Sequence, residues 1–586
     1  MDENAFDIAV IGTSLAESIV AAALAKAGLR VLHLDESPNY GGRDASLSMI
    51  ELHHFLLSPP GHITNLSAPV PISQELLRDS RHYALSLSPS IVPSTGPLVD
   101  TLVGSGVARY VPFKLLDAVG LYSHQGKEAG LNGPANGEQV RLVPASKEDV
   151  FKSKDLGLLQ KRKLMKFLLS TATSNTNQPT DTPPLGAQGA TFRQHLTSKA
   201  VGLDKDTADA IAYALALSQD PDEPAESSLL RLKKYILSTG RHGNSPFIVG
   251  HFGGAGELAQ GFCRASAVAG GTYILGRPYK IQRSSPKSSE GSDVHEPTNS
   301  SNPVPHAFEV TIEALDDILK ARLVVSTEDA LPASLRSEHQ LNEDSSEYFA
   351  RCIAILDSPI LFKRSSSPND VSSASNEDVT EPADEEDGVK EEGKKEAQEL
   401  DVDSAVLVFP PGSLSPDSES RVVTAFIAGP SSMACPEGKR VVYISTESTP
   451  QKSPEEALQP YLSAIQSLNR TTEEPSQVHC SMFYTHHRPR AGSSHVYTSD
   501  ENESIIRLHP PSTHIAEGGD ETAQEATRVF WETIVKLGLD GRTCTREKDD
   551  SITAEASSQE VETEKDDLLT TMWPPLTNDE TGNDDD

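Results

Sequence analysis

The first 42 residues constrain the fold more than any other stretch of this chain. Phe6–Gly12 is a short apolar run that ends in glycine and predicts a β-strand. Thr13–Gly28 predicts a helix whose small apolar residues can pack closely on a sheet, and Arg30–Asp35 predicts a second strand that ends in an acid. The turn Tyr40-Gly41-Gly42 follows. Strand, glycine turn, helix, strand and acid in this order predict a βαβ unit of the dinucleotide-binding type.

The turn of this unit departs from the dinucleotide-binding pattern. The pattern G-x-G-x-x-G requires three glycines, and the chain has Gly12, Ser14 and Glu17 at those positions. Ser14 and Glu17 predict a capping box, in which both side chains satisfy free N–H groups at the start of the helix. A carboxylate there competes with a pyrophosphate for the same donors and repels it. We interpret the stretch as a nucleotide-binding fold that has lost its nucleotide. A degenerate flavin site that still binds its cofactor is the alternative.

Charge is distributed unevenly along the 586 residues. The net charge is −34, and hydrophobic residues make up 37% of the chain, so part of it is expected to be disordered. Asp370–Asp403 and Arg546–Asp586 each hold 14 acidic and three basic residues, and together they contribute −22 to the net charge. Both stretches predict solvated segments, with attraction of basic partners as the alternative. The remainder is mildly acidic, which argues against nucleic-acid binding.

Cysteine usage and hydropathy indicate the compartment. The five cysteines are scattered and lack C-x-x-C spacing, which is typical of free thiols in a reducing environment. The chain begins without a signal-peptide pattern, and no apolar run reaches the roughly 18 residues of a membrane span. We therefore expect a soluble cytosolic protein.

The predicted secondary-structure pattern changes twice along the chain. Residues 1–150 predict the first part of an α/β domain, residues 151–238 carry helical patterns without a strand signal, and residues 239–545 return to the α/β texture. The middle segment contains four predicted helices, namely Phe151–Ser170, Thr191–Leu196, Lys205–Ser218 and Ser228–Leu237. The fold class is therefore α/β, a Rossmann-type two-domain fold with an inserted small all-helical domain.

Three further segments are expected to be disordered because of their composition. They are a Ser/Pro/Asn-rich insert near 284–304, an acidic insert near 364–403 and an acidic tail at 546–586.

A glycine-rich block spans Gly240–Leu275 and predicts unusual backbone geometry around a helix at Glu257–Ala269. On that helix Glu257, Gln260 and Arg264 fall on one face. From these residues alone, an exposed face with a weak Gln–Arg pair is the favoured interpretation.

The chain shows no catalytic motif. G-x-S-x-G, H-E-x-x-H and the Walker loop are absent from the sequence, and Cys480 with His486 and His487 fits no standard metal site. The residues alone therefore predict a soluble two-domain protein on a nucleotide-binding scaffold, with no visible active site and no metal centre.

Several separate motifs carry a family resemblance. Ile8–Ser18, Val31–Asp35, Tyr40–Gly42 and the glycine-rich block resemble the superfamily of Rab GDP-dissociation inhibitors and Rab escort proteins. Further matching stretches are Ser80–Tyr83 and Val107–Lys114. Within the superfamily the chain is more similar to the escort branch (Rab geranylgeranyltransferase component A), because Ala145–Lys154 and Gln160–Leu168 are similar to the escort pattern.

The resemblance implies a flavoprotein-like fold without a flavin and a platform for a Rab GTPase in the GDP form. The platform positions implied by the resemblance are Tyr40, Arg81, Glu257, Gln260, Arg264, Thr272 and Ile274. Phe192 resembles a helical-domain phenylalanine that contacts the alpha subunit of the prenyltransferase. The helical domain would cover the geranylgeranyl lipid of the Rab tail.

The escort function implied by the resemblance is to bind newly made Rab proteins, present them to the geranylgeranyltransferase αβ heterodimer and deliver prenylated Rab to membranes. The expected location is the cytosol with transient membrane contact, and the nucleus is a second location. An inhibitor that only recycles prenylated Rab and an FAD-dependent oxidoreductase stay open as alternatives.

Overall fold

The computed structural model describes most of the chain. The described residues are 4–67, 72–124, 138–142, 157–173, 189–284, 306–313, 315–336, 346–363, 399–414, 421–468, 476–489, 504–539 and 571–574.

The described residues form helices in each part of the chain that the sequence distinguishes. They are α1 (Leu15–Lys26), α2 (Met49–Leu57), α3 (Gln74–Arg78), α4 (Pro97–Ser105), α5 (Leu158–Thr173), α6 (Phe192–Thr197), α7 (Lys205–Ala210), α8 (Ala225–Ser238), α9 (Ala255–Val268), α10 (Pro454–Gln466) and α11 (Gly518–Lys536). Short 3-10 turns lie at Gly42–Asp44, Ser80–His82, Val107–Arg109, Ala333–Leu335 and Pro430–Ser432. Within the described part of the chain, no helix is long and apolar enough to cross a membrane.

The strands divide between two large sheets and two small ones. In the first half they are β1 (Ala5–Ile11), β2 (Val31–Asp35), β3 (Ser46–Leu47), β4 (Ile63–Thr64), β5 (Leu85–Ser86), β6 (Val92–Pro93), β7 (Phe113–Leu115), β8 (Ala118–His124), β9 (Glu138–Leu142), β10 (Phe247–Gly250), β11 (Thr272–Leu275) and β12 (Tyr279–Arg283). The later strands are β13 (Phe308–Ile312), β14 (Leu319–Thr327), β15 (Ser346–Leu356), β16 (Ile360–Lys363), β17 (Glu399–Val402), β18 (Ala405–Phe409), β19 (Val423–Ala428), β20 (Arg440–Ser448), β21 (Val478–Pro489) and β22 (Ile505–Leu508).

The first large sheet contains the predicted βαβ unit. Its order is β11-β2-β1-β14-β13-β12, with β22 paired to β14. The strands β11, β2, β1, β14 and β22 run parallel, whereas β12 and β13 are antiparallel to their neighbours. A parallel sheet with a crossover helix confirms the α/β, Rossmann-type fold class.

Helix α1 is buried along almost its whole length because its side chains are small. Residues 15–25 are all buried, so the helix has neighbours on every side. Ser266 Oγ on α9 donates to Ala21 O at 3.3 Å, which requires the two helices to approach closely. Alanine and serine at the contact allow this approach, and α9 is thereby held against the sheet through α1.

The second large sheet has the order β17-β16-β9-β8-β18-β19-β20-β15-β21-β4. Helix α10 packs on one face through Leu458, Leu462 and Ile465, each at most 1% exposed. The apolar strands that the sequence predicts between Cys352 and Tyr484 lie in this sheet.

The described residues between Gly157 and Ser238 are mainly helical. Helices α5 to α8 share a core that includes Phe192, Leu196 and Leu232. The segment is joined to α11 by ion pairs, with Arg231 Nη1 3.0 Å from Glu517 Oε2 and Lys234 Nζ 2.6 Å from Asp520 Oδ2. The domain boundaries at 150 and 238 remain predictions.

Several local expectations differ from the structure. Lys205–Ser218, predicted as one helix, is α7 followed by a π-turn at Ile211–Leu215. Val107–Phe113, predicted as extended, begins with a 3-10 turn, because Gly106 has φ +80° and reverses the chain after α4.

The expected disordered segments fall largely outside the described residues. The insert near 284–304 does so except for residue 284, as do 364–398 and most of 546–586. The structure departs from the expectation at two places. Glu399–Val402 forms β17 beside β16, and Met572 in the expected tail is only 6% exposed.

Candidate functional site

Side chains in the glycine turn after β1 form hydrogen bonds with other parts of the chain. Ser14 is the N-cap residue of α1, but its side chain accepts no hydrogen bond from the helix. The Ser14 hydroxyl donates instead to the Glu17 carboxyl group, and Glu17 Oε1 accepts from Thr327 N at 3.2 Å. The predicted capping box is therefore wrong, because Glu17 bonds to the end of β14 and to the capping residue itself.

An acidic residue from the loop after β2 accepts a hydrogen bond from the start of α1. Asp44 Oδ2 accepts a hydrogen bond from Leu15 N at 3.0 Å, and Asp44 is 8% exposed. This carboxyl group satisfies one of the free N–H groups and faces the positive end of the helix dipole. A pyrophosphate would use the same end of the helix.

The acid at the end of β2 is also engaged internally. Thr13 Oγ1 donates to Asp35 Oδ2 at 2.6 Å, and Ser37 N donates to Asp35 Oδ1 at 2.8 Å. Burial raises the pKa of Asp35. In a dinucleotide site this acid would bind a ribose hydroxyl, and here both of its oxygens already have partners in the chain.

A cleft of about 1330 Å³ opens beside the turn. Arg43 Nη2 lies 2.5 Å from Asp329 Oδ2 within it. Burial alone would raise the pKa of Asp329, but the Arg43 charge and hydrogen bond outweigh burial and hold it at about 2. Burial raises the pKa of Glu17 to about 7. The cleft thus presents a paired cation and a buried acid, and these residues do not fit the pyrophosphate of a flavin.

Thr13, in the glycine turn after β1, holds the turn Tyr40-Gly41-Gly42 in place. Gly41 N donates to Thr13 O and Thr13 Oγ1, each at 3.1 Å. Gly41 has φ +100°, and a Cβ there would lie 2.7 Å from Ala45 Cα, so only glycine fits. Tyr40 is half-buried, and burial raises its pKa.

Helix α9 carries three of the implied platform residues. Gln260 and Arg264 are exposed, whereas Glu257 is half-buried and burial raises its pKa. The Arg264 guanidinium lies 5.0 Å from the centre of the Tyr110 ring, and Tyr110 Oη donates to Gly261 O at 2.9 Å. Tyr110 therefore holds the arginine in place by a cation–π contact.

The remaining implied platform residues lie on β11 and on the turn after α3. Strand β11 is the edge strand beside β2, with Thr272 exposed and Ile274 half-buried. Tyr273 lies between them on the opposite face, 4.6 Å from the His33 ring. Arg81 is exposed on the Ser80–His82 turn.

Two exposed residues that the sequence analysis did not identify lie in joined loops near the start of α9. Phe252 and Met433 are 43% and 51% exposed, and both have left-handed backbones with φ +52° and +55°. Phe252 N donates to Ser432 O at 3.0 Å, which joins the two loops. Glycine-rich neighbours mark the loop of Phe252, but nothing in the sequence connects Met433 with it.

Phe192, which the resemblance places in contact with the transferase, is buried in the helical segment, and its role stays a prediction. This side chain is 1% exposed and packs inside the core of α5 to α8. Thr191 and Gln194 form a capping box that starts α6, and Phe192 N donates to Glu223 O at 2.9 Å. In this conformation Phe192 offers no surface to a transferase subunit, because its position on α6 faces the helical core.

Exposed leucines on the helical segment supply apolar surface instead. They are Leu158, Leu159 and Leu169 on α5, with Leu230 and Leu237 on α8, each at least 50% exposed. The pattern of α5 had indicated an amphipathic helix, but the outward leucines could not be separated from core leucines without the packing.

We predict that Glu17→Gln changes the pH dependence of stability. Because the folded pKa of Glu17 is raised from 4.5 to about 7, its contribution to stability is fully present below pH 4.5 and is lost as the pH rises through 7. The free energy of unfolding of the variant relative to the parent should therefore rise by about 2 kcal/mol from pH 5.5 to 8.5.

Urea denaturation across this range measures the difference and stays above the sequence pI of about 4.9. Glu75→Gln on the exposed side of α3 is the control and should show a flat difference. A flat difference for Glu17→Gln as well would contradict the assignment.

The chain resembles known proteins in sequence and in structure. Residues 1–289 match the family model described as GDI, GDP dissociation inhibitor. A guanosine nucleotide diphosphate dissociation inhibitor from Arabidopsis thaliana is 34% identical over 282 residues, which are 47% of this chain and 57% of that protein. The chain thus matches a little over half the length of this curated relative.

The fold is shared with a solved structure. The crystal structure of Rab GDI from Plasmodium falciparum aligns over 91% of this chain and 98% of its own, with a TM-score of 0.58 and 20% identity. This likeness concerns the fold, whereas the sequence match concerns residues 1–289. The first 289 residues are thus similar to a family of GDP dissociation inhibitors, and the fold is similar to that of a solved Rab GDI.

Proposed function

We propose that this chain binds Rab GTPases in the GDP form and acts as a Rab escort protein, a non-catalytic accessory component of Rab geranylgeranyltransferase. The match of residues 1–289 to the GDP dissociation inhibitor family carries the Rab-binding part of the proposal. The exposure of Gln260, Arg264 and Thr272 supports it, because these implied platform residues are accessible to a protein partner.

The proposed docking surface combines charge with apolar area. Arg264 supplies a cation held by Tyr110, and Phe252 with Met433 supplies exposed apolar side chains at the start of the same helix. Charged groups at an interface favour encounter and orientation, while buried apolar anchors provide most of the affinity. Rab switch loops differ between nucleotide states, so a surface that contacts them more favourably in the GDP form selects that form.

The escort role is favoured over a purely recycling inhibitor by the sequence around α5. Gln160–Leu168 is similar to the escort pattern and lies on this helix, whereas Ala145–Lys154 lies outside the described residues. The inhibitor role is the second candidate, because the Arabidopsis relative carries that name. An oxidoreductase is disfavoured, since Leu15 N is already bonded to Asp44 and both carboxylate oxygens of Asp35 already have partners in the chain.

The helical segment is proposed to shield the geranylgeranyl group of the Rab tail. Transfer of such a chain out of water gains about 0.8 kcal/mol for each buried CH₂. The exposed leucines of α5 and α8 offer apolar surface for that purpose. In this way a cytosolic carrier could hold prenylated Rab and release it at a membrane.

A prenylation assay separates the two roles. Unmodified Rab, geranylgeranyl diphosphate and the catalytic αβ transferase are combined with and without the chain. We expect lipid transfer to depend on the chain, because the transferase would receive Rab only in the presented complex. Extraction of prenylated Rab from membranes without any support of transfer would reject the escort role and leave the inhibitor.

Arg264→Glu is expected to weaken Rab binding by at least about 1 kcal/mol, or about fivefold in Kd, because an attractive charge becomes repulsive. Titration calorimetry with GDP-loaded Rab measures the change. Lys280→Glu is the matched control, since Lys280 is an exposed cation on β12 that is not among the implied platform residues. Equal affinity for the parent and the Arg264 variant would remove α9 from the docking surface.

Leu230→Asp combined with Leu237→Asp should weaken binding of geranylgeranylated Rab at least about tenfold and leave unmodified Rab unaffected. Charged side chains on α8 would prevent burial of the lipid at this face. Leu57→Asp is the control, because Leu57 is 70% exposed on α2 outside the helical segment. An equal loss for modified and unmodified Rab would contradict lipid binding at α8.

A further inference from the structure

A short segment near the carboxyl end of the chain lies in a groove between α4, α9 and α11. Within Thr571–Pro574, Met572 is 6% exposed and its Sδ accepts a hydrogen bond from Thr527 Oγ1 at 3.5 Å. The Trp573 ring lies 6.1 Å from the Phe262 ring of α9, with an angle of 31° between the planes. Two large side chains thus anchor the segment.

The groove is shaped for the indole ring. Gly104 lies inside α4, and a Cβ there would be 3.2 Å from Trp573 Cδ1, closer than an ordinary contact. Gly104 is not among the glycines with positive φ, so the backbone does not require glycine. Because glycine weakens a helix relative to alanine, its presence here is explained by the space that the indole ring uses.

The sequence around the segment is unlike a core element. The stretch Arg546–Asp586 holds 14 acidic and three basic residues, and Met572-Trp573-Pro574 lies within it. Strongly acidic stretches with few apolar residues do not form a core of their own. A few large apolar anchors in such a stretch are typical of segments that dock on a folded surface.

We propose that the groove between α4, α9 and α11 is a peptide-docking site whose ligand is the Met572–Trp573 segment of this chain. The segment binds and leaves the groove while the rest of the protein stays folded. When bound, it contacts the buried side of α9 through Phe262, behind the exposed face that carries Gln260 and Arg264. The carboxyl end of the chain is thereby held beside this helix. This proposal is independent of the Rab-binding role.

The accessibility of Trp573 gives the first test. The chain contains two tryptophans, so Trp531→Phe in the full-length protein leaves Trp573 as the only indole reporter. We expect low quenching by acrylamide in this background. Adding Gly104→Leu should fill the groove and raise quenching at least about threefold, whereas Val103→Leu, at a side chain 61% exposed on the same helix, should not.

Replacement in trans gives the second test. Full-length protein carrying Met572→Ala and Trp573→Ala should bind a synthetic peptide of residues 566–578, measured by fluorescence anisotropy. The parent should bind the peptide at least about tenfold more weakly, because its tethered segment fills the groove at an effective concentration of about millimolar. The same peptide with Trp573→Ala should not bind, and circular dichroism verifies that each variant is folded.

Each result decides the proposal. Protected Trp573 together with peptide binding to the emptied groove supports it. Protected Trp573 without peptide binding would mean that the segment is a fixed part of the core. Equal quenching of the Trp531→Phe proteins with and without Gly104→Leu would mean that the groove beside Gly104 does not hold the indole ring. Either of these two results overturns the proposal.

Discussion

The amino end of α1 is the constraint on which the rest of the structure depends. A buried helix start exposes free N–H groups that must find acceptors, and the dipole favours an anion at that place. Asp44 accepts from Leu15 N, and Glu17 lies beside it with a raised pKa. Arg43 and Asp329 complete the local charge balance across the cleft. The chain itself therefore satisfies Leu15 N at the place where a dinucleotide would bind in a site of this type.

The same contacts hold the proposed protein-binding face in place. The loop that carries Asp44 begins with Tyr40-Gly41-Gly42, whose Gly41 N is bonded to Thr13. Helix α9 packs on α1 through small residues, and β11 extends the sheet next to β2. The implied platform residues of this region are therefore attached to the same glycine turn that would have held a cofactor. One set of contacts thus engages the groups that a cofactor would use and holds the implied platform residues in place.

The sequence was sufficient for the fold class, because periodicity and glycine placement marked β1, α1, β2 and α9 within a few residues. It was insufficient where partners come from distant segments. Glu17 had the right spacing for a capping box, but its carboxyl group bonds to the Ser14 hydroxyl and to Thr327 N at the end of β14. Phe192 matched a family position, yet tertiary packing places it in a core. Met433 joins Phe252 across a long sequence separation, which no local pattern reveals.

The left-handed backbones of Phe252 and Met433 affect how this surface can recognise a partner. A residue other than glycine with a left-handed backbone is strained, and contacts with the surrounding structure keep it in that conformation. The hydrogen bond from Phe252 N to Ser432 O ties the two loops together before any partner arrives. The two loops therefore lose less conformational entropy when a partner binds. This part of the proposed surface favours fast, selective recognition of a partner of one shape over binding of partners of many shapes.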